Sequence, residues 1–138
     1  MRLVLDTNII VAALRSPSGG SAALLRRIRA GEIRMLLSVP LLLEYEAVAL
    51  RPEHLQAARI SAADVVNVLD VLALFAKPVA IHCLWRPRLR DPADEMVLEA
   101  AVNGRADAIV TFNKADFGAV LDVFGIAVAS LGDILRRS

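Results

Sequence analysis

Residues 1–14 read MRLVLDTNIIVAAL, and the order of events in that stretch decides the fold. Residues 2–5 are a short apolar strand. Asp6, Thr7 and Asn8 follow with capping chemistry, and the apolar residues 9–14 continue as a helix. The first acid of the chain therefore stands at the carboxyl end of a strand, in the opening turn of an α/β unit.

The same alternation repeats outward from there. Residues 16–21 (SPSGGS) form a loop, residues 22–30 a helix stopped by Gly31, and residues 33–37 a buried strand. Ser38-Val39-Pro40 starts a helix carrying LLLEYEAVAL, which Pro52 breaks. Ser61 to Asp64 has the form of a capping box and introduces a helix over 64–76. A strand over 79–82 and an arginine-rich loop lead to a helix over 94–103, closed by Gly104. Residues 107–111 (DAIVT) are a central strand followed by the loop FNKADF. A short helix over 118–124, a strand over 126–129 and a terminal helix over 132–137, capped by Ser130, end the chain. Strand cores that are continuous apolar runs between helices belong to a parallel sheet covered on both faces. The predicted class is α/β.

The 138 residues suffice for one domain, expected over 1–138. Surface scaling leaves about two-thirds of the unfolded surface buried, enough for a core without covalent staples. Cys83 is the single cysteine, which excludes an internal disulfide and points to a reducing compartment, the cytosol. Mean hydropathy is high, at +0.55. The longest stretches without Asp, Glu, Lys or Arg are nevertheless ten residues, 16–25 and 123–132, too short to span a bilayer. Asp6 also interrupts what would be a signal peptide's apolar region. A net charge of +1 gives no bulk attraction to nucleic acid, so any such binding is local. Of 16 basic residues all but Lys77 and Lys114 are Arg, a bias suited to phosphate contact.

In open α/β sheets, sites lie outside the carboxyl ends of the strands, where the connection order reverses. That rule selects Asp6 and the loop holding Asn113 and Asp116. Asp94 opens a helix that can point at the same rim. Glu44 and Glu46 are about 200° apart around their helix. Leu41 and Val48 share the side of Glu44, which makes Glu44 the inward carboxylate and Glu46 the solvated one. Carboxylates gathered on one rim repel one another and stay ionised only beside a cation. All-oxygen ligation selects Mg²⁺ or Mn²⁺ over zinc, because His54, His82 and Cys83 offer no ligand spacing. Such a site suits hydrolysis of phosphodiesters.

With those residues in view, the chain resembles the PIN-domain family, in its bacterial toxin-like branch related to VapC. The carriers are VLDTNIIVAAL (4–14), SVPLLLEYEAVAL (38–50), RDPADEMVLEAA (90–101) and IVTFNKADF (109–117). The resemblance implies a Rossmann-like three-layer sandwich around a central parallel sheet. It also implies an Mg²⁺- or Mn²⁺-dependent endoribonuclease, often homodimeric and inhibited by a cognate antitoxin. The family's acids map onto Asp6, Glu44 and Asp94, and its last acidic position falls in the loop of Asn113 and Asp116. Many relatives carry aspartate where Asn113 stands, so Asp116 is the fourth candidate. Thr7, Asn8 and Thr111 match the polar positions flanking the acids, and Asp91 belongs to the branch's RDPxD signature.

Arg86, Arg88, Arg90 and Lys114 are candidates for gripping an RNA backbone. The helix over 64–76 is apolar almost all round, which anticipates a homodimer contact. Plainer roles stand beside these: Asp6 as a helix cap, Asp94 as a dipole partner, Asp116 as a turn residue, and the arginines as a solvated loop. Two rival functions remain open: a catalytically idle PIN scaffold acting through protein binding, and a phospho-receiver module. The receiver needs an aspartate after a strand lying between the strands of Asp6 and Thr111, and Ser38 and Cys83 occupy the candidate positions.

Overall fold

The structure is a computed structural model that describes residues 1–82, 92–118 and 124–137. Five parallel strands make one sheet, β1 (Arg2–Leu5), β2 (Arg34–Leu37), β3 (Lys77–Pro78), β4 (Ala108–Val110) and β5 (Ala127–Ala129), in the order β3-β2-β1-β4-β5. Leu3, Val4 and Leu5 of the central strand are all wholly buried. Side chains that alternate between two faces are all buried only when helices cover both. The expected sandwich is therefore the observed one.

Among the described residues seven helices accompany the sheet: α1 (Thr7–Arg15), α2 (Gly20–Arg29), α3 (Val39–Ala49), α4 (Pro52–Ala58), α5 (Ala62–Phe75), α6 (Pro92–Gly104) and α7 (Leu131–Arg137). α6 lies along β1, β2 and β4, while α1 packs on α2 and α3, and α3 on α5. The predicted caps are present. Ser61 and Asp64 exchange hydrogen bonds at 3.1 Å in a capping box, and Ser130 and Asp133 do the same at the start of α7. Gly31 ends the second helix's turn with φ +80, a conformation that glycine adopts without steric cost. At the end of α6, a Cβ on Gly104 would stand 2.8 Å from Leu36 and 2.9 Å from Val79, so this glycine lets the helix close onto β2.

Two local readings need correction. Pro52 does end α3, but it also occupies the first turn of a further helix, α4, where its missing N–H costs nothing. The strand expected over 79–82 lies earlier, at Lys77–Pro78, pairing with Leu36 and Leu37. It is an edge strand, where a proline's lack of a donor is tolerated. The loop after β4 contains a 3-10 turn, Lys114–Phe117. The helix expected over 118–124 falls mostly outside the described residues.

Candidate active site

The chain runs from β1 to β2 and β3 on one side, and β4 and β5 lie on the other. The order thus reverses between β1 and β4, and Asp6 and Thr111 stand just beyond the carboxyl ends of those two strands. Asp6 serves as the N-cap of α1 and is only 6% exposed. Its Oδ1 accepts the Thr7 amide at 2.8 Å and its Oδ2 accepts the Thr111 hydroxyl at 2.7 Å. Capping and site placement coincide in one carboxylate. Thr111 Oγ1 in turn accepts the Asn113 amide at 3.0 Å, so one hydroxyl ties the acid to the loop after β4.

Beneath Asp6 lies Tyr45, fully buried on α3, whose hydroxyl donates to the Leu5 carbonyl. Burial raises its phenol well above the ordinary value, and the negative charge of Asp6 pushes the same way. Sequence reading passed over Tyr45. Its spacing from Leu41 and Ala49, one turn to each side, was the available signal for a buried stripe.

A cleft of about 730 Å³ opens above these residues. Asp6, Glu44, Asp94 and Asp116 all line it, as do Asn113, Thr7 and Asn8. Glu44 reaches it from α3 together with Val48, and Glu46 does not line it, as the helix-face argument requires. Asp94 comes from the first turn of α6 and Asp116 from the 3-10 turn. Two buried oxygens here, Thr7 Oγ1 and Asn8 Oδ1, have no hydrogen-bond partner among the described residues. β1 and β4 are direct neighbours, so no strand lies between the Asp6 and Thr111 positions and the phospho-receiver arrangement is absent.

The PIN domain profile matches residues 2–115. The chain belongs to the PIN-domain family. No curated protein matches it. Among solved structures, this PIN domain is similar to a chain in the crystal structure of VapBC2 from Rickettsia felis bound to a DNA fragment from their promoter. The TM-score is 0.62 at 14% identity, over 94% of this chain and 98% of that one. At that identity the likeness is one of fold.

Among the described residues, no three His, Cys, Asp or Glu side chains converge tightly enough to enclose an ion. Around Asp6 the donors that line the PIN cleft are nonetheless oxygens and include those of Thr7 and Asn8, while the His54 imidazole that also lines it is engaged by Arg15. Open, oxygen-rich surroundings fit a hard divalent cation that keeps several of its waters.

Other sequence candidates lie elsewhere. Lys114 does not line the cleft. Its ammonium stands 3.4 Å from Asp133 of α7, whose carboxyl is pulled down to about 2, first by the Ser130 hydroxyl and amide and then by Lys114. Arg86, Arg88, Arg90 and Asp91 lie outside the described residues. Among the cleft residues that the sequence did not single out are Arg15, Arg51 and Phe112, and His54, read there only as lacking ligand spacing, lines it too. The signal for Arg15 was its helical spacing from Asn8. No helix among the described residues is long and apolar enough to cross a membrane.

Proposed function

We propose that this PIN domain is a divalent-metal-dependent endoribonuclease and the toxin of a cytoplasmic toxin–antitoxin pair. The observation that carries the reading is the meeting of Asp6, Glu44, Asp94 and Asp116, from four separate segments, in one cleft at the switch point of the sheet. PIN domains are in general nucleases. Four carboxylates in one cleft repel an RNA backbone unless a cation intervenes, which is the electrostatic argument for Mg²⁺ or Mn²⁺. Asp6, Glu44, Asp94 and Asp116 would hold the ion, directly or through water, with Thr7 and Asn8 as further oxygen donors. When bound, such an ion neutralises charge on the phosphate and acidifies a water.

The chain's own residues supply the positioning. Asp6 cannot swing, because each of its oxygens is held by a separate donor, and Thr111 couples its orientation to the loop of Asn113 and Asp116. A water held on the side of the phosphate opposite the leaving oxygen would attack in line and release a 3′-hydroxyl. The antitoxin partner is proposed by analogy with the fold neighbour, which comes from a VapBC2 complex. A homodimer is proposed from α5, where Val71, Leu74 and Phe75 are 41%, 81% and 50% exposed.

Cleavage of a mixed RNA pool with Mg²⁺, with Mn²⁺ and with chelator tests the enzymatic reading. Cleavage that needs the ion and is lost in Asp94→Asn is the expected result. A well-folded protein that cuts no RNA with either ion would favour the idle scaffold.

A further inference from the structure

Two walls of the cleft share one gradient. On α1, Asn8, Val11, Ala12 and Arg15 line it at successive helical spacings. From the neighbouring α3, Glu44 and Val48 line it, and Arg51, one turn further on, completes that wall. Each wall starts beside the acids, crosses apolar side chains and ends in a guanidinium. From Asn8 to Arg15 the rise along α1 is roughly 10 Å. The cations therefore lie past the phosphate that would be cut.

Neither guanidinium has an ion-pair partner among the described residues. Arg15 Nη2 donates to His54 Nδ1 at 2.9 Å, which leaves most of its five donors open to the cleft. Arg51 occupies the N-cap of α4, where a cation gains nothing from the helix dipole, and it makes no capping bond. At the acidic end Phe112 follows Thr111 directly and is 51% exposed in the cleft, an aromatic that no core packing accounts for.

We infer that the cleft takes a single RNA strand in a fixed register, with Arg15 and Arg51 gripping a phosphate adjacent to the one cut and Phe112 stacking an unpaired base. The inference rests on the nuclease reading and assigns the residues that hold the strand beside the cut. An exposed ring stacks a base only if that base is out of a duplex, and a row of carboxylates admits a polyanion only if cations balance it beyond the reacting phosphate. His54 is a positioning residue, fixing the Arg15 guanidinium toward the cleft.

The test is steady-state cleavage of a single-stranded oligoribonucleotide and of a matching duplex, with binding of the same strands measured in Mg²⁺ on the Asp94→Asn background across a salt series. Arg15→Ala and Arg51→Ala should each raise KM about fivefold or more with kcat within about twofold, and should flatten the salt slope by about 0.7. Arg15→Lys guards against misfolding and should recover the slope without the full affinity. Phe112→Ala should weaken single-strand binding roughly fivefold or more, with Phe112→Trp restoring it. His54→Ala should raise KM while leaving the salt slope intact, since both guanidinium charges remain. Arg34→Ala, at the opposite end of β2, should change none of these. If the wild type cleaves but the arginine variants keep its KM and slope, or if duplex is cut as well as single strand, the inference is overturned. Arginine-dependent binding without cleavage would overturn the nuclease reading and leave the strand path standing. A protein that neither binds nor cleaves would overturn both.

Discussion

The Thr111 hydroxyl donates to Asp6 Oδ2 at 2.7 Å, joining the ends of two adjacent parallel strands from residues 105 positions apart. A hydrogen bond to a buried charge is worth about 1.5–3 kcal/mol, and removing its donor leaves the charge undersatisfied. Thr111→Val should therefore lose stability of about that size in chemical denaturation and lower kcat for RNA cleavage, whereas Thr111→Ser should keep both. Wild-type turnover in the valine variant would show that the orientation of Asp6 does not matter to the reaction.

Tyr45 gives a pH prediction with a definite sign. Its folded value is raised, by burial and then by Asp6, so the stability it contributes is complete below the ordinary tyrosine range near pH 10 and lost as pH climbs toward the folded value. As the only tyrosine in the chain, it can be followed directly by ultraviolet absorbance. Phenolate should appear together with alkaline unfolding and not before it, and Tyr45→Phe should unfold at higher pH than the wild type. Phenolate forming in a protein that is still folded would contradict this.

The carboxylates differ in what they should cost. Glu44→Gln should damage cleavage and be partly rescued by Mn²⁺, while Glu46→Gln should leave it near wild type, because only Glu44 lines the cleft. Asp116→Ala should cost more activity than Asn113→Ala. Asn113→Asp should tighten Mg²⁺ binding, since an added carboxylate near a divalent ion gains on the order of a few kcal/mol before its repulsion from the resident acids. Calorimetric titration at fixed salt measures the last effect. Weaker affinity in Asn113→Asp would mean that the cluster already carries all the negative charge the ion can balance.

On α5 the outward residue to change is Leu74. Val68 on the same helix is partly buried against the core, so a charge there would disturb the fold as well. Leu74→Lys should convert a wild-type dimer to monomers in sedimentation velocity at unchanged melting temperature. A wild type that sediments as a monomer at micromolar concentration would remove α5 as a dimer face.

Much of this molecule was legible in its sequence because local chemistry wrote it. The apolar run of residues 2–5, the Asp6 cap and the Ser61 and Ser130 capping residues act within a few positions, and each is found where expected. The helical angle between Glu44 and Glu46 is likewise local, and it selected the residue that lines the cleft. The tertiary structure decided what depends on meetings across the chain. Only the strand order could bring Thr111 against Asp6, bury Tyr45 beneath them, and gather Arg15 and Arg51 into one cleft. It also decided that β3 pairs at Lys77–Pro78, since register at a sheet edge is fixed by the neighbouring strand and not by hydrophobicity along the chain.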